Sequence, residues 1–242
     1  MSARFLYRAI RARYRDQAAE LAAARSVLAE GDVAVDVGAH KGAYVYWLRR
    51  AVGRSGRVLA FEPQRALAAS LSEEAARLRW SNVIVRDCAI SDKEGTGTLH
   101  VPGQGDSQGA SLEEAILGAA SCRDVPCPTD TLDHQLEGAG PVALVKVDVE
   151  GHELAVFRGA RRTLSEDSPV LLFECEARHL TKHTMEDVFG FLEGLGYSGS
   201  FFAPEGLLPV SRFVAAVHQR RTAGRFWKAP GYCNNFLFRR AG

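Results

Sequence analysis

Val33-Ala34-Val35-Asp36-Val37-Gly38-Ala39-His40-Lys41-Gly42 is the stretch around which this chain is organised. Its first five residues read as a buried strand, interrupted only by Asp36. A turn, Gly38-x-x-x-Gly42, follows, and Ala43 to Val52 has the composition of a helix. Strand, glycine turn and helix open a doubly wound nucleotide-binding domain. The glycines allow turn conformations closed to other residues and close approach of a ligand to the backbone. The motif alone is a weak signal, because a βα turn without any ligand has the same pattern.

Outward from that turn, the pattern repeats. Arg57–Phe61 is a second strand, ending in Glu62-Pro63. A helix over Arg65–Arg79 and a strand over Asn82–Val85 follow. Further strands are predicted at Val142–Val147 and Pro169–Phe173, with a helix over Glu153–Leu164 between them. Strands alternating with helices of this length predict a parallel sheet covered on both faces. Thr98–Val101 reads as a short strand and Thr129–Leu136 as a helix capped by Thr129 or Asp130. Thr184–Leu195 is an amphipathic helix, and Tyr197–Phe202 and Asn235–Arg239 are late strands. Residues 102–128, rich in glycine and serine, read as an insertion or lid, with a capped helix over Ser111–Ala120. Residues 1–30 form an N-terminal helical extension, continuous or broken once, ahead of a main domain at 31–242. Its arginines fit either a helix for an anionic partner or membrane surface or, the favoured reading, a solvated helix that packs on the domain or forms a homo-oligomer interface.

Composition narrows the function. The chain has 242 residues, a net charge of +1, 46% hydrophobic and 24% charged residues. These are globular values, and no global field steers the chain toward nucleic acid. No apolar run is long enough to span a membrane, and Met1–Arg15 lacks the apolar stretch of a secretory signal. The five cysteines are scattered, without a C-x-x-C pair. Reduced thiols and a cytoplasmic location are therefore expected, with no structural zinc.

Three predicted strand ends carry carboxylates: Asp36, Glu62 and Asp148. Ligands of open α/β sheets bind at the carboxyl ends of strands. An acid after the second strand suits a ribose diol, since a carboxylate accepts from both hydroxyls. The second informative stretch is Lys146-Val147-Asp148-Val149-Glu150-Gly151-His152-Glu153. Side chains alternate on a strand, so Lys146 and Asp148 share a face opposite Val145 and Val147. A charged row on a buried strand needs pairing or a ligand pocket. It reads equally as a Lys146–Asp148 ion pair and as a catalytic row.

With these residues in place, the chain resembles the FkbM family of S-adenosylmethionine-dependent methyltransferases. Val35–Gly42, Phe61-Glu62-Pro63 and Val145–Glu153 carry the resemblance. Thr131-Leu132-Asp133, Arg158-Gly159-Ala160 and Phe173-Glu174 extend it from about Gly31 to Phe238. His40 departs from the Asn common in the family, and His152 falls at a variable position. The resemblance implies a class I methyltransferase Rossmann-like α/β fold, with a seven-stranded, mostly parallel sheet ending in an antiparallel hairpin. It implies S-adenosylmethionine as cofactor and O-methylation of a small-molecule hydroxyl, on a sugar or natural-product scaffold. Asp36, Gly38 and Gly42 would line the methionine end, with Ala39, His40 and Tyr44 beside them. Glu62 and Pro63 would meet the ribose, Asp87, Cys88 and Ala89 the adenine, and Asp148 the transferred methyl.

Methylation of an alcohol needs in-line alignment and removal of a proton. Asp148 or Glu150 is the candidate base, Lys146 its electrostatic partner and His152 a further candidate; His179 and His183 lie near strand ends too. A divalent metal held by Asp148, Glu150, Glu174 and Glu176 is the mechanistic rival. No ligand spacing forces such a site, and none is assigned. Competing functions are a nicotinamide-dependent dehydrogenase, disfavoured because Gly-x-Gly-x-x-Gly is absent, a nucleic-acid or protein methyltransferase, and a non-catalytic cofactor-fold scaffold.

Overall fold

Helices lie on both faces of a central sheet whose strands run in the order β10-β9-β11-β8-β7-β1-β2-β3. The computed structural model describes residues 2–103, 105, 107, 109–113, 122–222 and 224–240. The parallel strands are β1 (Val33–Val37), β2 (Arg57–Phe61), β3 (Val83–Arg86), β7 (Val142–Val147) and β8 (Val170–Glu174). Two later strands, β9 (Tyr197–Ala203) and β11 (Asn235–Arg240), run antiparallel to each other, with β11 inserted between β8 and β9. The expected seven strands are present, and an eighth, β10 (Gly206–Pro209), extends the edge as a hairpin with β9.

Every residue of β1 is buried, as a central parallel strand requires. One face packs Phe157, Phe173, Phe236 and Phe238 against α6 (Glu153–Arg158) and α8 (Met185–Gly194). The other packs Leu144 and Leu172 against Leu48 of α3 (Ala43–Val52) and Leu71 of α4 (Arg65–Arg77). Each fully buried aliphatic or aromatic side chain contributes about 1.5–3 kcal/mol. The N-terminal helices share this second core. Phe5 of α1 (Ala3–Arg11) and Leu21 of α2 (Ala18–Val27) are both buried in it. The two helices are joined by a π-helical turn, Ala12–Asp16.

Several boundaries differ from expectation. Glu153–Leu164 breaks into α6 and α7 (Arg161–Glu166) at Gly159, where a Cβ would stand 2.0 Å from the Ser91 carbonyl. The short strand at Thr98–Val101 is part of β5 (Gly95–Pro102). It pairs with a strand the sequence did not announce, β6 (Cys122–Thr131). Those two form a three-stranded sheet with β4 (Ala89–Ser91). The far end of the expected insertion is therefore strand. Its two prolines, Pro126 and Pro128, hid it, because proline weakens a strand reading. The helix expected from Thr129 begins at Leu132: α5 (Leu132–Gln135) is capped by Thr131, whose side chain accepts from the His134 N–H. The helix expected over Ser111–Ala120 lies outside the described residues beyond Glu113. Among the described residues no helix is long and apolar enough to cross a membrane, and all five cysteines are free.

Candidate active site

The chain leaves β1 to build β2 and β3 on one side, then returns to build β7 and β8 on the other. The switch point lies between β1 and β7, where an α/β sheet opens a crevice for ligands. A cavity of about 440 Å³ lies at these strand tips. Its wall carries Gly38 and His40 after β1, Glu62 and Pro63 after β2, and Cys88 and Ala89 after β3. Asp148, Glu150 and His152 follow β7, and Glu174 and Glu176 close β8.

At the β2 tip the Glu62 carboxylate is held from behind. Its Oε2 accepts from the His40 N–H at 2.7 Å, and its Oε1 from the Gln64 backbone N–H at 2.9 Å and side-chain amide at 3.2 Å. Burial raises the Glu62 pKa, and the donors from Gln64 and His40 counter that rise. Gln64 also exchanges two 2.9 Å hydrogen bonds with the backbone of Ser107, tying the loop after β5 to the cavity rim.

The glycine turn serves chain packing. The Gly38 and Ala39 N–H groups both donate to the Phe61 carbonyl, at 2.9 and 3.0 Å, and the Gly42 N–H donates to the Ala39 carbonyl at 2.8 Å. These three amides are therefore engaged within the chain. At Gly38 (φ +81°) a Cβ would stand 1.9 Å from the Asp148 carbonyl oxygen, so only glycine lets β1 and β7 exit side by side. At Gly42 a Cβ would meet Leu71 at 2.4 Å and Phe5 at 3.1 Å, which turns this residue toward the N-terminal helix and away from the cavity wall.

Parallel register sets Asp36 beside Lys146. The Lys146 Nζ lies 3.5 Å from Asp36, 3.4 Å from Asp148 and 4.9 Å above the Tyr44 ring. Burial alone would lower the Lys146 pKa, but Asp148, Asp36 and Glu174 outweigh it and raise it. Burial pushes the Asp36 pKa up, against the pull of Lys146, and neither Asp36 oxygen has a hydrogen-bond partner in the described structure. Asp36, Ala39, Gly42, Tyr44 and Lys146 therefore lie outside the cavity wall. They support the wall, and Asp148, whose side chain is 28% exposed, presents the charge to the cavity. Asp87 is likewise off the wall: its carboxylate faces Arg65 at 3.5 Å on the surface, leaving Cys88 and Ala89 inside.

Beyond Asp148 the wall turns acidic. Glu150, in a left-handed conformation (φ 53°), meets His179 at 2.7 Å. Burial raises the Glu150 pKa, with His179 pulling the other way. Glu174 lies well above the ordinary range through burial and its acidic neighbours. Burial would also raise Glu176, but the two-point contact with Arg178 and the Tyr232 hydroxyl hold it at about 2. The Arg178 guanidinium packs in turn over Trp227, at 5.2 Å. His152 has no free ring nitrogen: Nδ1 meets Glu113 at 2.8 Å and Nε2 meets the Ser91 hydroxyl at 2.9 Å. Its place as a candidate base is corrected to that of a clamp between β4 and the segment after β5. His40 is the converse case. Burial, with Lys41, lowers its pKa to about 4, and its buried Nε2 has no partner in the described structure.

The four acids proposed as metal ligands do not converge. Among the described residues, the one group bringing three donor atoms within 4.8 Å of one another is Glu94, Asp130 and His134, away from the cavity wall. Of the wall residues, Gln64 could have been found from its place two residues after Glu62. Gln17, Ser107 and Trp227 carried no sequence signal.

Comparison with known proteins decides the family. The methyltransferase FkbM domain matches residues 36–198. The chain belongs to the FkbM methyltransferase family. The family's methyl donor is S-adenosylmethionine, and the fold is the class I methyltransferase fold. A solved FkbM methyltransferase from Methylobacillus flagellatus KT is 18% identical with a TM-score of 0.54, over 87% of this chain and 44% of that one. The chain thus spans less than half the length of that relative. SMU.1697c from Streptococcus mutans, solved in complex with SAH, is 11% identical with a TM-score of 0.51, over 92% of this chain and 96% of that one. At these identities the likeness speaks to the fold alone. No curated protein matches the chain.

Proposed function

We propose that the protein transfers the methyl group of S-adenosylmethionine to a hydroxyl of a small molecule, a sugar or a natural-product scaffold. One observation carries this reading: a single cavity is lined both by the Glu62 carboxylate at the β2 tip and by a carboxylate–imidazole pair, Glu150 and His179. Its volume falls in the small-ligand range of roughly 300–1,000 Å³. Residue fit supports the donor. Glu62 suits a ribose diol, Cys88, Ala89 and Ile90 make an apolar slot for a base, and Asp148 places negative charge at the switch point. When bound, the sulfonium supplies an electrophilic methyl and a neutral thioether leaving group.

The protein's own task is alignment and proton removal. Glu150 accepts the hydroxyl proton of the acceptor, and His179, beside it on the cavity wall, steadies the carboxylate. Asp148 stays fixed by Lys146, which Asp36 and Tyr44 hold in turn. The cationic centre and the developing alkoxide are thereby kept in a preorganised field. The test is calorimetry with S-adenosylhomocysteine, followed by transfer of a labelled methyl to a panel of polyols and hydroxylated macrocycles. The reading predicts binding and label on oxygen. Label carried only to amines, protein or RNA would move the chain to another acceptor class. An unchanged rate in Asp148→Ala would instead favour a scaffold.

A further inference from the structure

Gln17 joins the cavity wall from outside the family-matched segment, which begins at residue 36. It occupies the break between the π-helical turn and α2, with φ −142° and ψ 40°. The break is fixed on both sides. The Gln17 N–H donates to the Ala12 carbonyl at 2.8 Å, Arg13 reaches the Ala18 carbonyl at 3.4 Å, and Arg11 pairs with Asp16 at 2.7 Å. The flanking helices are anchored as well: Trp47 Nε1 donates to the Ala9 carbonyl at 2.7 Å, and Leu21 is fully buried. A π turn inside a helical run commonly marks a functional position. The Gln17 carbonyl accepts the first hydrogen bond of α2, from the Leu21 N–H at 3.0 Å, but the helix makes no use of its side chain. It stands at the N-cap, where Ser, Thr, Asp or Asn stabilise, and its side chain makes no capping hydrogen bond.

Its place along the cavity follows from its neighbours. The helix it begins packs against β7 and β8. Glu62 lies on the other side of β1, at the β2 tip. A ligand whose ribose sits on Glu62 therefore extends its other end toward Gln17. For the methyl donor that end is a zwitterionic α-amino acid. A carboxamide both donates and accepts, so one side chain can serve either charge of that group.

We infer that Gln17 is a binding residue for the amino-acid end of the methyl donor, supplied by the N-terminal helical segment. The inference rests on the donor assignment, and the experiment separates the two. Wild type, Gln17→Leu and Gln17→Ala are titrated with S-adenosylhomocysteine and with methylthioadenosine, which keeps the nucleoside and lacks the amino acid. Loss of one hydrogen bond to a charged group predicts about tenfold to a hundredfold weaker S-adenosylhomocysteine binding in both variants. Methylthioadenosine affinity and melting temperature stay at wild-type values, which also shows that the variants fold. Equal S-adenosylhomocysteine affinity in all three proteins overturns the inference and leaves the donor assignment standing. A parallel loss for both ligands overturns it too, by moving the effect to the nucleoside end or to folding. Failure of the wild type to bind either ligand removes the donor assignment and the inference with it.

Discussion

Glu150 sits at the cavity wall with a raised pKa and one imidazole partner at 2.7 Å. A carboxylate in that state is a better base than an exposed one, and it must be unprotonated to act. With Glu150 as the proposed base, its raised pKa is expected to move the acid limb of the rate profile upward, above the ordinary glutamate range. Glu150→Gln is expected to lower the transfer rate about 10²–10⁴-fold with donor affinity retained. His179→Ala should shift the acid limb as well as lower the rate; an unmoved limb would show that the imidazole does not touch the proton's path. Gly38→Ala tests the floor of the site. The added Cβ meets a backbone oxygen at a residue with φ +81°, and the expected cost is about 2–5 kcal/mol by denaturant unfolding. Glu62, Asp148 and Glu150 were legible as strand-end acids, because a carboxylate after an apolar run has few reasons to be there. That Asp36 and Lys146 lie behind the wall was not legible, since it depends on the register between β1 and β7. His152 was misread because its partners, Ser91 and Glu113, are brought to it by distant segments.

Among the elements, the segment after β5 is the one that the site itself holds down. Gln64 clasps Ser107, the Ser111 hydroxyl donates to the Glu150 carbonyl at 2.8 Å, and Glu113 reaches both His152 and Lys182. The hydrogen bond from His152 holds the Glu113 pKa down at about 2, against burial and with help from Lys182. A depressed carboxylate contributes its stability above its unfolded value of 4.5 and loses it as pH falls toward 2. The clasp therefore stays closed at neutral pH. Glu113→Gln should speed amide exchange at residues 107 and 109–113 about tenfold and raise the acceptor KM, while Kd for S-adenosylhomocysteine stays level. Unchanged exchange would show that the Gln64 and Ser111 contacts hold the segment without Glu113. The sequence marked residues 102–128 as an insertion by their glycines and serines, and β6 escaped notice because strand pairing with β5 overrides its prolines. The parallel core was legible throughout, since buried strands and amphipathic helices carry their period in the residues themselves.

Over the whole molecule, the sheet tips gather buried acids, and the consequence is a stability that declines toward alkaline pH. Glu153 shows this most cleanly because it lies outside the cavity wall. It is 1% exposed, its Oε1 accepts from the Gly151 N–H at 2.9 Å, and its Oε2 has no partner in the described structure. Burial lifts its pKa to about 8, so at neutral pH it is a neutral acid packed at the start of α6. A group raised above its unfolded value of 4.5 contributes fully below that pH and loses its contribution as pH rises through about 8. Glu176, held at about 2, works in the opposite sense and loses its contribution in acid. The two together place the stability maximum on the mildly acidic side of neutrality. Glu153→Gln keeps the shape and an acceptor for the Gly151 N–H while removing the ionisation. Melting temperature measured from pH 5 to pH 9 should fall along the alkaline limb in the wild type, and less steeply in Glu153→Gln, with a difference on the order of a few kcal/mol at pH 9. Parallel alkaline limbs for the two proteins would assign the decline to the cavity acids Glu62, Glu150 and Glu174 instead. Saturating S-adenosylhomocysteine would then be the reagent that flattens it.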